Sequence, residues 1–139
     1  MVDTEINKRN IRKRYRNIQI TQILNYRLPW AGKVSILHRI SGVLLFLCLP
    51  GLLYLLELSL SSEGSYVRFT ELLELPIIKL FILGLAWAYL HHFCAGIRYL
   101  LLDVHIGLAR QMARRSALIV LAVSLSLSAL FAARLFHFL

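Results

Sequence analysis

The sequence predicts an all-α membrane protein: three transmembrane helices with a basic N-terminal segment on the inner side. Three observations carry this. Of 139 residues, 58% are hydrophobic and 17% charged, with a mean hydropathy of +0.66, well above the ~45–50% apolar usage of soluble domains. Charge is absent from windows 40–56, 80–97 and 116–133, which are bounded by Arg39 and Glu57, Lys79 and Arg98, and Arg115 and Arg134. Thirteen of the 16 Lys and Arg residues fall in 1–39 and 98–115.

Each window is close to the ~17–25 residues needed to cross a hydrocarbon core of about 30 Å. Strand barrels are excluded, because the windows lack period-2 alternation and three spans cannot close a barrel without edges. A signal peptide is a poor reading of the start, since the first apolar run follows a long basic segment with no small-residue cleavage site. Residues 1–139 therefore read as one membrane-anchor domain, with spans at about 32–58, 76–103 and 116–137.

The first span is expected to begin near Gly32, after Pro29 has biased the preceding residue away from helix. Pro50 and Gly51 fall inside it and predict a kink. The connector 59–75, rich in Ser, Gly and Glu, suits the outer side and carries a short surface helix at about 66–74. Pro76 opens the second helix, which runs to Asp103 over about 42 Å, longer than the hydrocarbon core. The third carries Ser124, Ser126 and Ser128 and no ionisable residue at depth, which suits packing through small side chains.

A net charge of +9 would suggest nucleic acid as the partner of a soluble protein. Here the basic residues follow the positive-inside rule instead, so no nucleic-acid partner is expected. The cluster Lys8, Arg9, Arg12, Lys13, Arg14 and Arg16 suits anionic lipid headgroups or an acidic face of a soluble partner. Cys48 and Cys94 lie inside predicted spans, where no disulfide is expected. Without a Cys-x-x-Cys-His motif, any haem would be held without thioether bonds.

Ionisable residues at membrane depth are costly unless paired, and so mark function. Ser35, His38, Arg39 and Gly42 follow i, i+3, i+4, i+7 spacing, which puts a hydroxyl, an imidazole, a guanidinium and a gap on one helical face. Arg39 is close enough to Lys33 for snorkelling to the headgroups to be an equal reading. His92 lies at least ten residues from either end of the second helix, and its face holds Ala88, Ala95, Gly96 and Tyr99. Small residues beside a deep histidine leave room for a flat ligand such as a porphyrin. Spacing alone favours a hydrogen-bonded core histidine over a ligand. His91 points about 100° away, shares a face with Arg98, and suits pairing with another helix.

The motif Ser35-Ile-Leu-His38-Arg39-Ile-Ser-Gly42, with His92-x-x-x-Gly96-Ile-Arg98-x-x-x-x-Asp103 in the second span, resembles the cytochrome b membrane-anchor subunit of succinate dehydrogenase, respiratory complex II. The preceding Tyr26-Arg27-Leu-Pro29 is also similar. The resemblance implies that His92 is an axial ligand to the iron of haem b, the second axial histidine coming from a partner anchor subunit. It implies that Ser35 and Arg39 line a ubiquinone pocket and that His38 and Arg39 lie near the haem propionates. Its implied partners are a second membrane anchor, an iron–sulfur subunit and a flavoprotein that oxidises succinate. This chain would not act on succinate itself but would contribute to the quinone-reduction site. The expected location is a bacterial inner membrane, in preference to the mitochondrial inner membrane. Two departures stand out: Tyr99 replaces a second histidine frequent in the family, and the common Arg-Pro-Leu-Ser-Pro-His opening is missing. A haem-free structural anchor or assembly subunit is the alternative. A small transporter would need polar residues along a path through the membrane, whereas here they cluster in the inner half.

Overall fold

The computed structural model describes residues 28–136. The basic cluster at 8–16, Tyr26, Arg27 and the expected third-span end at His137 lie outside that range. The described residues form four helices and no strand: α1 (Trp30–Ser61), α2 (Glu63–Glu74), α3 (Pro76–Asp103) and α4 (Arg110–Leu135). Three of them, α1, α3 and α4, are long and apolar enough to cross a membrane, and the chain is a multi-pass all-α membrane protein.

Helix α1 starts two residues before Gly32, with Pro29 as its N-cap in extended conformation and the Pro29 carbonyl accepting from the Lys33 N–H at 3.1 Å. It continues through Pro50 without interruption. Helix α2 starts at Glu63 because Ser62 and Ser65 cap each other: the Ser65 N–H donates to Ser62 Oγ at 3.2 Å, and the Ser62 N–H to Ser65 Oγ at 2.8 Å. This reciprocal box satisfies two otherwise orphaned donors. Helix α4 begins at Arg110, six residues before the charge-free window opens, because basic residues continue a helix readily once it has left the hydrocarbon.

Helix α3 packs against both α1 and α4, which also touch each other. At the centre, Val34, Ala95 and Ala117 are fully buried and Val120 nearly so. All four seam residues are alanine or valine, which lets the backbones approach. Ser124 and Ser128 are buried in the same seam and donate to the Leu121 and Ser124 carbonyls of their own helix at 3.2 and 2.7 Å. That bonding removes the cost of placing a hydroxyl among apolar groups. Ser126 faces outward.

Most of the remaining apolar surface is uncovered, Phe46 being 74% exposed and Leu47 68%. The most apolar 18-residue window of α1 buries none of its residues within the chain. Its cover must come from lipid or from another polypeptide.

Candidate functional site

The polar residues of α1 and α3 meet where two glycines face two histidines. A Cβ at Gly42 would stand 2.8 Å from His92 Cε1, and one at Gly96 would stand 3.8 Å from His38 Nε2. Gly42 is therefore required for the ring of His92 to lie against α1, while Gly96 leaves ordinary contact distance. The two imidazoles stack, with centroids 4.2 Å apart and planes 9° from parallel. Tyr99 flanks His38 at 5.1 Å.

His92 Nδ1 lies 3.0 Å from the His38 carbonyl and 3.3 Å from Ser41 Oγ, and the Ser41 hydroxyl donates to that carbonyl at 2.9 Å. A carbonyl only accepts, so this network puts a proton on Nδ1, and in the neutral ring Nε2 is the nitrogen that carries the lone pair. Nε2 makes no hydrogen bond among the described residues. A neutral imidazole with one nitrogen tied to a carbonyl is the usual state of a metal-bound histidine. No group of three or more His, Cys, Asp or Glu side chains could hold a metal ion among the described residues. A metal at His92 would draw few ligands from this chain.

His91 shares its face with Arg98, as the spacing predicts. His91 is 0% exposed and forms, with Ala88, Ala95 and Arg98, the buried stripe of α3 between α1 and α4, whereas His92 sits half-buried at the edge of the α1–α3 seam. Its ring stacks on Trp87 at 5.5 Å. Neither nitrogen makes a hydrogen bond of ordinary geometry, the Val34 carbonyl being the polar group that faces it. Ala88 and Ala95 lie at helical spacing from both histidines, so period alone does not distinguish the two faces.

Ser35 is half-buried and Arg39 exposed, and no hydrogen bond joins either to His38 or His92. Arg39 lies on an outward groove with Ile40, Val43, Leu44 and Leu47. The structure thus brings His38 and His92 together and leaves Ser35 and Arg39 beside them on the outer side of α1. Ser41, the serine before Gly42 in the motif, partners His92 only through the crossing of two helices, which periodicity does not show.

Residues 9–131 match the family of succinate dehydrogenase/fumarate reductase transmembrane subunits. This chain belongs to that family. Among its relatives, the succinate dehydrogenase cytochrome b556 subunit of Coxiella burnetii is 37% identical over 113 residues, covering 81% of this chain and 88% of the relative. Proteins of the same description from Rickettsia felis and Paracoccus denitrificans are 35% identical over 82 residues and 30% over 105. The first pair covers 59% of this chain and 63% of the relative, the second 76% and 81%. The family match includes α1, α2, α3 and most of α4, and with them both glycine–histidine contacts.

Proposed function

We propose that this chain is the cytochrome b anchor subunit of a bacterial succinate dehydrogenase, helping to bind haem b and ubiquinone and docking the soluble subunits at the inner membrane. The observation that carries the reading is His92, with Nδ1 held by the His38 carbonyl and Nε2 free at the edge of the α1–α3 seam. These residues fit a haem iron: with Nδ1 tied to the His38 carbonyl, Nε2 is the nitrogen left for a ligand, and Gly42 gives the ring the room to lie fixed against α1. His92 would hold the iron together with a histidine of a second anchor subunit. When bound, haem b supplies a one-electron store.

The chain's own residues bind and orient. The carbonyl of His38 and the hydroxyl of Ser41 fix the His92 tautomer, and His38, stacked on that ring, and Arg39 would meet the haem propionates. Ubiquinone reduction consumes two electrons and two protons, so its site needs hydrogen bonds to the quinone oxygens and a cation for developing negative charge. Ser35 would donate the hydrogen bond and Arg39 would supply the cation. Electrons would come from succinate through a flavoprotein and an iron–sulfur subunit, which this chain would help to hold at the membrane. The uncovered apolar face of α1 suits a second anchor subunit, and the relatives' bacterial sources suit the inner membrane.

Spectra of the purified, dithionite-reduced complex test the assignment. His92→Ala should lose the b-type absorbance, while His91→Ala should keep it. An unchanged spectrum in His92→Ala would sink the assignment of His92, and a complex without b-type absorbance would leave the haem-free anchor as the better reading.

A further inference from the structure

We propose that the groove between α3 and α4 is a binding site for one anionic phospholipid, whose phosphate sits on Arg98 and whose acyl chain runs along Cys94, Ile119 and Val123. The groove has a volume of about 420 Å³ and an almost wholly apolar wall, with Arg98 and Ser116 as its polar members. Arg98 is 6% exposed. Its Nε donates to Ser116 Oγ at 3.0 Å and its Nη2 to the Ala113 carbonyl at 3.4 Å. Both acceptors are neutral. No carboxylate pairs with it among the described residues, where the ion pair found is Lys79–Glu74.

A buried guanidinium without a counter-anion calls for one, since burial of an unpaired charge is expensive. Its five donors include more than these two acceptors use. The exposed residues Arg110, Arg114 and Arg115 add positive charge at the same end of α4. That end is the headgroup level: Ser116 is the first residue of the charge-free window. From Ser116 to Val123 the groove wall follows α4 for roughly 10 Å at 1.5 Å per residue, about two thirds of the depth of one leaflet. Anion at the mouth and hydrocarbon below is the chemistry of a phospholipid.

The groove is also separate from the histidine site. Cys94, Ile97, Arg98 and Leu101 lie about 140–240° around α3 from His92, at 100° per residue. A partner anchor subunit seated on the α1–α3 seam would leave it facing the bilayer.

The test uses the assembled complex, delipidated in detergent and examined by native mass spectrometry with dioleoylphosphatidylglycerol or dioleoylphosphatidylcholine at equal concentration. One phosphatidylglycerol should be retained per copy of this chain, and Arg98→Gln should weaken that retention about ten-fold, the scale of one lost charge-assisted hydrogen bond. Arg98→Lys should keep most of it. Ile119→Trp, which fills the groove without touching the charge, should weaken both lipids. Equal retention of the two lipids, or an unaffected Arg98→Gln complex, would overturn the proposal. So would displacement of the lipid by inorganic phosphate at the same concentration, because a free anion lacks the chain. A photoreactive residue at position 119 should label lipid, and labelling of a polypeptide would assign the groove to a partner chain instead. Should Arg98→Gln fail to assemble, retention by Ile119→Trp and the cross-link decide.

Discussion

Gly42 has no room for a side chain, and that makes it the most direct probe of the histidine pair. A methyl group there would stand 2.8 Å from His92 Cε1, so either α1 or the imidazole must move. Movement of the ring breaks its contact with the His38 carbonyl. Gly42→Ala should therefore lower haem content several-fold, or shift the reduced absorbance band, while Gly96→Ala, whose Cβ meets His38 at ordinary contact distance, should change little. The quinone roles are separately testable. Ser35→Ala and Arg39→Leu should each impair succinate-driven quinone reduction while sparing electron transfer to an artificial acceptor that bypasses the membrane. Arg39→Leu should be the more damaging, by roughly 10²-fold or more, as expected for a group that stabilises charge in the transition state. Normal quinone kinetics in both variants would leave Arg39 as a snorkelling residue, and equal loss of both activities would mean failed assembly.

At the scale of elements, the charge-free windows locate the hydrocarbon rather than the helix ends. All three helices run past their windows at the polar ends, and Pro76 alone marks a helix start in the sequence itself, at N1 of α3. His38 and His92 were legible as a pair of functional candidates because each stands at membrane depth. Their stacking, and the rank of His91 as the buried member, were not, since both depend on the angle at which α3 crosses α1. The end of α3 carries a further device. His105 adopts φ 65°, its N–H donates to the Leu102 carbonyl at 3.0 Å, and the Ile106 N–H donates to the Leu101 carbonyl at 2.9 Å. This is a Schellman cap with histidine at the position that favours glycine. A left-handed conformation costs an L-residue roughly 1–2 kcal/mol, partly offset by glycine's greater freedom in the unfolded chain. His105→Gly should therefore stabilise the cap by about 1 kcal/mol and slow amide exchange at Ile106 roughly five-fold. Faster exchange would mean that the histidine side chain holds the turn.

At the scale of the whole molecule, the distribution of charge fixes the orientation that the site requires. Of the 16 basic residues, thirteen lie before the first window or between the second and third, against Arg68, Lys79 and Arg134 on the other side. Short loops with such a bias remain on the cytoplasmic side. The N-terminus and the loop between α3 and α4 should then be inside, and α2 and the end of α4 outside. Ser35, His38 and Arg39 lie near the start of α1, and Arg98 near the end of α3, so one orientation puts every candidate polar group in the inner half. A soluble electron donor docking on the basic side would meet them at the shortest distance. Single cysteines introduced at Ser61 or Gly64 should react with an impermeant maleimide in intact spheroplasts, whereas cysteines at Gly107 or Ala109 should react only after lysis. The reverse pattern would overturn the orientation and place the histidine pair on the far side of the membrane from any cytoplasmic electron donor.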